Sequence, residues 1–362
     1  MCLTITAHAR EESITLPAEF ESFLSELPDD IEELLPDELF EDDVRSVYTA
    51  SKTLTDVEFL FNALLSSLGL CIDECIGLLI FLLAVIFIST VLHNVGKIVT
   101  QSSETLGFCV KLVIFSAIVS RGIAVVGDVQ AYFSRLTKLT SACVPVMGVL
   151  YAMGGNVTSA AVNTEITAIF LSVCQYVNTS TVVPIFGLLL GLALVSAFSK
   201  TIRFNSLADT VKRSYTTFLG VIMTVIGIAM GLQSALAAKA DGVAMKGVKY
   251  LISNTIPVVG GAISGAMSSI GSGIDLLRSA FGVSATVILV LMILPILIKL
   301  ILYKQVFDIS AAFADMISTD GEGKLLRDIS GLCGLLLAAA SISSVILIIA
   351  LVIFTNTAVA FT

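Results

Sequence analysis

The chain has 362 residues, 56% of them hydrophobic and 14% charged, with a net charge of −9 and a mean hydropathy of +0.98. A soluble domain carries about a quarter charged residues, and a water-soluble core of this length cannot bury so many apolar segments. The composition excludes an ordinary soluble domain and points to an integral membrane protein.

The first nine residues, MCLTITAHA, end on Ala7-His8-Ala9, the A-x-A form of a signal-peptidase site. No basic region precedes it. Residues 1–9 therefore read either as the remnant of a signal peptide or as a coincidence of small residues. Residues 10–67 form an acidic head, which the signal-peptide reading places outside the cytoplasm. Within it, residues 11–43 carry 14 acidic side chains and no basic one, so the rest of the chain holds 15 acidic against 20 basic residues. Phe20, Phe23, Leu24 and Leu27 fall at helical spacing, and Leu34, Leu35, Leu39 and Phe40 follow. Short amphipathic helices interrupted at Pro17, Pro28 and Pro36 are expected. The head is then either a solvated, self-repelling tail or a docking segment for a basic partner.

Residues 68–362 form a multi-pass membrane domain. Five windows meet the requirement of about 20 mainly apolar residues for a span: Ile76–His93, Thr181–Phe198, Thr216–Ala235, Phe281–Leu302 and Gly331–Phe354. Three weaker windows are Leu106–Val126, Leu139–Gly154 and Ala160–Tyr176. The fold class is all-α: a polytopic membrane protein of about five to eight transmembrane helices plus interfacial amphipathic helices. The segment 199–215 carries Lys200, Arg203, Lys212 and Arg213 against Asp209, which the positive-inside rule assigns to the cytoplasm. Ala235–Ile252 places Lys239, Lys246 and Lys249 on one helical face, as in a helix lying in the interface or in an ordinary connecting helix. Lys304–Ser330 is similar but more acidic.

The tract 253–273, SNTIPVVGGAISGAMSSIGSG, has no charge and is rich in glycine and serine. Pro257 disfavours helix at Ile256, which predicts a break near 254–261 followed by a small-faced helix. Broken backbone in lipid is tolerated only against protein or a polar lumen. Pro257, Gly260, Gly261 and Gly265 are the candidate residues for helix packing or lumen lining. Gly261 with Gly265 forms a GxxxG pair, as do Gly187 with Gly191 and Gly227 with Gly231, a pattern that lets helices approach closely.

Ionisable residues within spans are the usual mark of transport chemistry. Here they are few: Lys111, Arg121 and Glu165 lie in weaker windows, and Lys299 lies near the end of its window. The seven cysteines lie mostly in or beside apolar stretches, where they pack as small hydrophobes. The chain carries no phosphate-binding loop, nucleophile elbow or zinc-protease motif. No catalytic, metal or cofactor site is assigned, and no nucleic-acid partner is expected.

The segment DGVAMKGVKYLISNTIPVVGGAISGA (Asp241–Ala266), between a glycine-rich and a long apolar span, resembles the stage III sporulation protein AE family. VPVMGVLYAMGGNVTSAA (Val144–Ala161) is similar to that family's earlier proline-glycine segment. The resemblance implies a multi-pass protein of the mother-cell membrane surrounding the forespore. It also implies a non-enzymatic place in a secretion-like channel complex linking the two cells and supporting forespore gene expression after engulfment. The implied partners are the other stage III sporulation A-type membrane proteins, a forespore-membrane partner and the lipid bilayer. The competing expectation is a stand-alone permease, with a buried ionisable site and activity without partners.

Overall fold

A computed structural model describes residues 16–41, 43–96, 103–153, 157–198, 206–222, 224–229, 231–232, 260–317 and 322–355. Residues 1–9, the helix expected at 235–252, and Pro257 lie outside the described residues. Among the described residues there is no strand.

Prolines open the head helices. Pro17, Pro28 and Pro36 each hold extended backbone, with ψ of 143°, 142° and 139°, directly before α1 (Ala18–Ser25), α2 (Asp29–Glu32) and a 3₁₀ turn (Asp37–Phe40). Proline is tolerated there because the first turn needs no amide donor from it. Acidic residues crowd the first turns, where the helix dipole favours them. Helix α3 (Val44–Leu54) completes the head and buries Val47, Ala50 and Leu54 on one face.

The head is not a free solvated tail: its apolar face packs on the chain's own body. Phe20 and Phe23 are buried, and their rings meet Phe281 edge-on, at 5.6 and 5.1 Å between centroids. Arg135 binds Asp30 at 3.2 Å. The amphipathic face finds its partner within the same chain, because burying about six large apolar side chains outweighs the self-repulsion of an acidic face that stays solvated.

The body comprises α4 (Val57–Gly96), α5 (Ser103–Met153), α6 (Val157–Val177), α7 (Val183–Phe198), α8 (helical residues 206–222, continued at 224–229), α9 (Gly260–Ile317) and α10 (Glu322–Thr355). The windows Leu106–Val126 and Leu139–Gly154 prove to be parts of the single 51-residue α5. The residues between them are polar in composition but keep helical periodicity: Val129, Tyr132, Phe133 and Leu136 are buried on one side. The windows Ala160–Tyr176 and Thr181–Phe198 are joined by a π-helical turn, Asn178–Val182, rather than a loop. From Gly260 onward the glycine-serine tract is the beginning of the 58-residue α9, which also contains Phe281–Leu302 and runs into the stretch after Lys304.

Among the described residues, four helices are long and apolar enough to cross a membrane, over Val57–Val91, Ser120–Met153, Leu276–Ile317 and Glu322–Ile349, with a shorter apolar segment at Ser180–Ala193. The chain is an all-α protein with membrane-length helices, as expected from composition. Helix α4 runs parallel to α9, with Cys71 beside Pro295 and Glu74 beside Lys299. Helix α5 runs antiparallel to α9: Asp128 meets Lys299, and Arg278 lies 5.4 Å over the ring of Tyr151. Helix α10 folds back along α9, pairing Arg327 with Asp315, and joins Ser344 to Tyr132 of α5.

Candidate functional site: an ion network between three long helices

Where α4, α5 and α9 meet, four charges converge. Lys299 Nζ lies 3.1 Å from Glu74 Oε2 and 2.8 Å from Asp128 Oδ2. Arg121 Nη1 donates to Glu74 Oε1 at 3.1 Å, and the Tyr303 hydroxyl donates to the same oxygen at 2.7 Å. The Lys299 ammonium also sits 5.9 Å from the centre of the Tyr303 ring. Two cations face two carboxylates, so the cluster is neutral as a whole. Neutrality is what allows charge among apolar helices, since an unpaired ion there is costly.

Helical spacing presents each residue. Arg121 and Asp128 are two turns apart on one face of α5, and Lys299 and Tyr303 are one turn apart on α9. Pro295 lies one turn before Lys299. It lacks an amide hydrogen and leaves the carbonyl of Leu291 without its usual helical donor. The Cys71 thiol lies 4.0 Å from the Pro295 carbonyl.

A cavity of about 220 Å³ adjoins the network, lined by Cys71, Asp128, Tyr132, Arg135, Pro295 and Lys299 among others. Asp30 and Ile31 of the head close one side of it. The arrangement can hold the head, α4, α5 and α9 in one register, and it can exchange protons or ions only by breaking paired charges.

Sequence reasoning missed most of this site. Glu74 lies two residues before the first clear window, and Asp128 lies between two weaker windows, so neither falls within a window read as a span. Arg121 falls in a weaker window and Lys299 near the end of its own, where a charge can reach the interface without a partner. The available signal was the two-turn spacing of Arg121 and Asp128, which becomes visible once 103–153 is read as one helix.

The residues singled out in the sequence lie elsewhere. Gly260, Gly261 and Gly265 occupy the first turns of α9, and what packs against them lies outside the described contacts. In the other GxxxG pairs, a Cβ added at Gly187, Gly191 or Gly227 meets nothing within 4 Å, so these three positions make no close approach among the described residues. Close approaches that bear on α5 are at Gly148, where a Cβ would lie 3.3 Å from Thr164 Oγ1, and at Gly122, 3.5 Å from the Phe186 ring. Those glycines fit α5 against α6 and α7.

Helices of membrane length, folded along one another around a neutral ion network, define a polytopic helical membrane protein. Comparison with known proteins narrows the class. The family model for stage III sporulation protein AE matches residues 40–358, and the chain belongs to that family. The stage III sporulation protein AE of Bacillus subtilis (strain 168) is 24% identical over 254 residues, covering 70% of this chain and 62% of the relative. The match thus spans less than two thirds of that relative's length. No solved structure matches. The protein is a sporulation-related membrane protein.

Proposed function

We propose that the chain is a non-enzymatic component of a transenvelope channel, or secretion-like complex, that links mother cell and forespore and supports forespore gene expression after engulfment. In this reading it resides in the mother-cell membrane surrounding the forespore. Its partners are the other stage III sporulation A-type membrane proteins and a forespore-membrane partner.

Helix length carries the reading. At 1.5 Å per residue, α5 and α9 measure about 77 and about 87 Å, against about 30 Å of hydrocarbon. Even strongly tilted, each leaves roughly half its length outside the bilayer core. Rods of that reach suit a protein that bridges a narrow space between two membranes. The basic segment 199–215 and the acidic head are separated by three helical runs, α4, α5 and the continuous α6–α7. Three crossings put them on opposite sides, which supports an outside head and a cytoplasmic basic segment.

The test is purification of the native complex from sporulating cells, with identification of its members. Pro257, Gly260, Gly261 and Gly265 remain our proposed packing or lumen-lining residues. Gly261→Leu and Gly265→Leu are expected to abolish co-purification of partners while leaving membrane insertion intact; normal co-purification and sporulation would refute that role. A cysteine introduced at Ser22 is expected to react with an impermeant reagent from outside, and reaction only after permeabilisation reverses the topology.

The ion network favours a second reading, a stand-alone permease, more than the sequence did. That reading requires solute uptake by vesicles containing this chain alone, and loss of uptake in Lys299→Met.

A further inference from the structure

Helices α8 and α10 lie side by side and parallel, and the furrow between them changes character along its length. At its first end it is a polar cleft of about 1070 Å³, where Lys212, Arg213, Ser214 and Thr217 of α8 face Gly331 and Gly334 of α10. One turn further on it becomes an apolar groove of about 540 Å³, lined by Gly220, Gly227 and Ile228 against Ile342, Val345 and Ile349. Small residues keep it open: a Cβ added at Gly220 or Gly227 meets nothing within 4 Å. Its rim is exposed and apolar, with Ile228, Val345 and Ile349 each about half exposed.

The charged end has donors to spare. The Lys212 stem lies across Gly331 and its ammonium reaches the Asp328 carbonyl oxygen at 3.5 Å. Arg213 is exposed and makes no ion pair among the described residues. Asp209 also lines the cleft and, from α10, the Asp328 carboxylate lies near Lys212 and Lys324, while hydroxyls from Ser206, Thr210, Ser214 and Thr216 surround the cations. Lys200 and Arg203 precede this segment in the chain.

We propose that this furrow binds an anionic membrane phospholipid, with its phosphate on Lys212 and Arg213 and an acyl chain in the apolar groove. The order of the two parts is the argument. A phospholipid is an anion joined to a hydrocarbon chain, and the furrow places cations and hydroxyls about one helical turn along α8 from an apolar trough. The trough from Gly220 to Ile228 is about 12 Å long, close to the roughly 15 Å depth of one leaflet. The cationic end belongs to the segment that the charge rule assigns to the cytoplasm, and basic pockets between helices on that side suit anionic headgroups. A helix from a partner would match the trough but not the cations; free phosphate would match the cations but leave the trough unfilled.

The experiment is native mass spectrometry of the detergent-solubilised full chain, titrated separately with phosphatidylglycerol, phosphatidylcholine and inorganic phosphate. Phosphatidylglycerol is expected to bind at least tenfold more tightly than phosphatidylcholine, and phosphate alone is expected not to compete at millimolar concentration. Lys212→Gln/Arg213→Gln is expected to weaken phosphatidylglycerol about 30-fold, or about 2 kcal/mol, while leaving phosphatidylcholine unchanged. Gly227→Leu fills the trough and is expected to weaken both lipids. Equal binding of the two lipids overturns the proposal, as does displacement by phosphate or an unchanged affinity in the double cation variant. So does loss of all lipid preference only when partner proteins are bound, which assigns the trough to a helix. The double cation variant alters exposed or half-exposed positions, so it stays informative if Gly227→Leu does not fold.

Discussion

Replacing Lys299 with Met tests whether the ion network holds the three long helices in register. Lys299 is the only residue of the cluster that touches both carboxylates, at 3.1 and 2.8 Å, and its side chain is 23% exposed. Glu74 keeps Arg121 and Tyr303 after the change, whereas Asp128 keeps no other ion pair among the described residues. Breaking a fully buried pair costs about 3–5 kcal/mol, and an exposed pair is worth about 0.2–1 kcal/mol. Glu74 and Asp128 are 35% and 44% exposed, which discounts the buried figure substantially. We expect Lys299→Met to destabilise by about 1–3 kcal/mol. Removing the stranded charge as well, in Lys299→Met/Asp128→Asn, should recover about 1 kcal/mol of that loss. The assay is reversible unfolding in mixed detergent micelles, with the two single variants and the double variant forming a cycle. If Lys299→Met unfolds with the parent, or the coupling to Asp128 falls below about 0.3 kcal/mol, the network contributes nothing to register and the reasoning fails.

Three further outcomes follow from the packing. Phe23→Ala should cost about 3–5 kcal/mol of head docking, because its ring is buried against Phe281; it is read as faster proteolysis within residues 16–41, and unchanged cleavage would contradict the docked head. Gly148→Leu should destabilise by about 1–3 kcal/mol, since even a Cβ there lies 3.3 Å from Thr164. Gly187→Leu meets open space and should leave the isolated chain within about 0.5 kcal/mol of the parent in the same unfolding assay. If Gly187→Leu nonetheless prevents co-purification of partners, that face of α7 is an assembly surface rather than a lipid-facing one.

The legibility of this protein varies along the chain. The head was readable because its signals are local. A proline before each short helix, acidic residues in each first turn and an apolar residue every three or four positions all act within a few residues of one another. The continuity of α5 was less readable. Gly127, Asp128, Arg135 and Lys138 lower the hydropathy of its middle and suggest two spans, yet the buried stripe from Val129 to Leu136 is unbroken. Average hydropathy hides a stripe because it adds both faces of the helix together. The GxxxG pairs left the packing partner open: glycine permits close packing but does not summon a neighbour, and a Cβ at Gly187 or Gly191 meets none within 4 Å among the described residues.

Composition alone required hydrocarbon as the solvent for most of this polypeptide, since no aqueous fold of 362 residues can hide so much apolar helix. Proline placement alone fixed where the head helices begin. Only the tertiary structure decided that the acidic head sits on its own body and that Glu74, Asp128 and Lys299 share one site. Glu74 and its hydrogen-bond donor Tyr303 are 229 positions apart in the chain. Their meeting depends on the axial register of helices 40 and 58 residues long, where a slip of one turn, about 5.4 Å, separates every pair. That register is set by side chains interlocking along the whole contact, a quantity that no local spacing encodes.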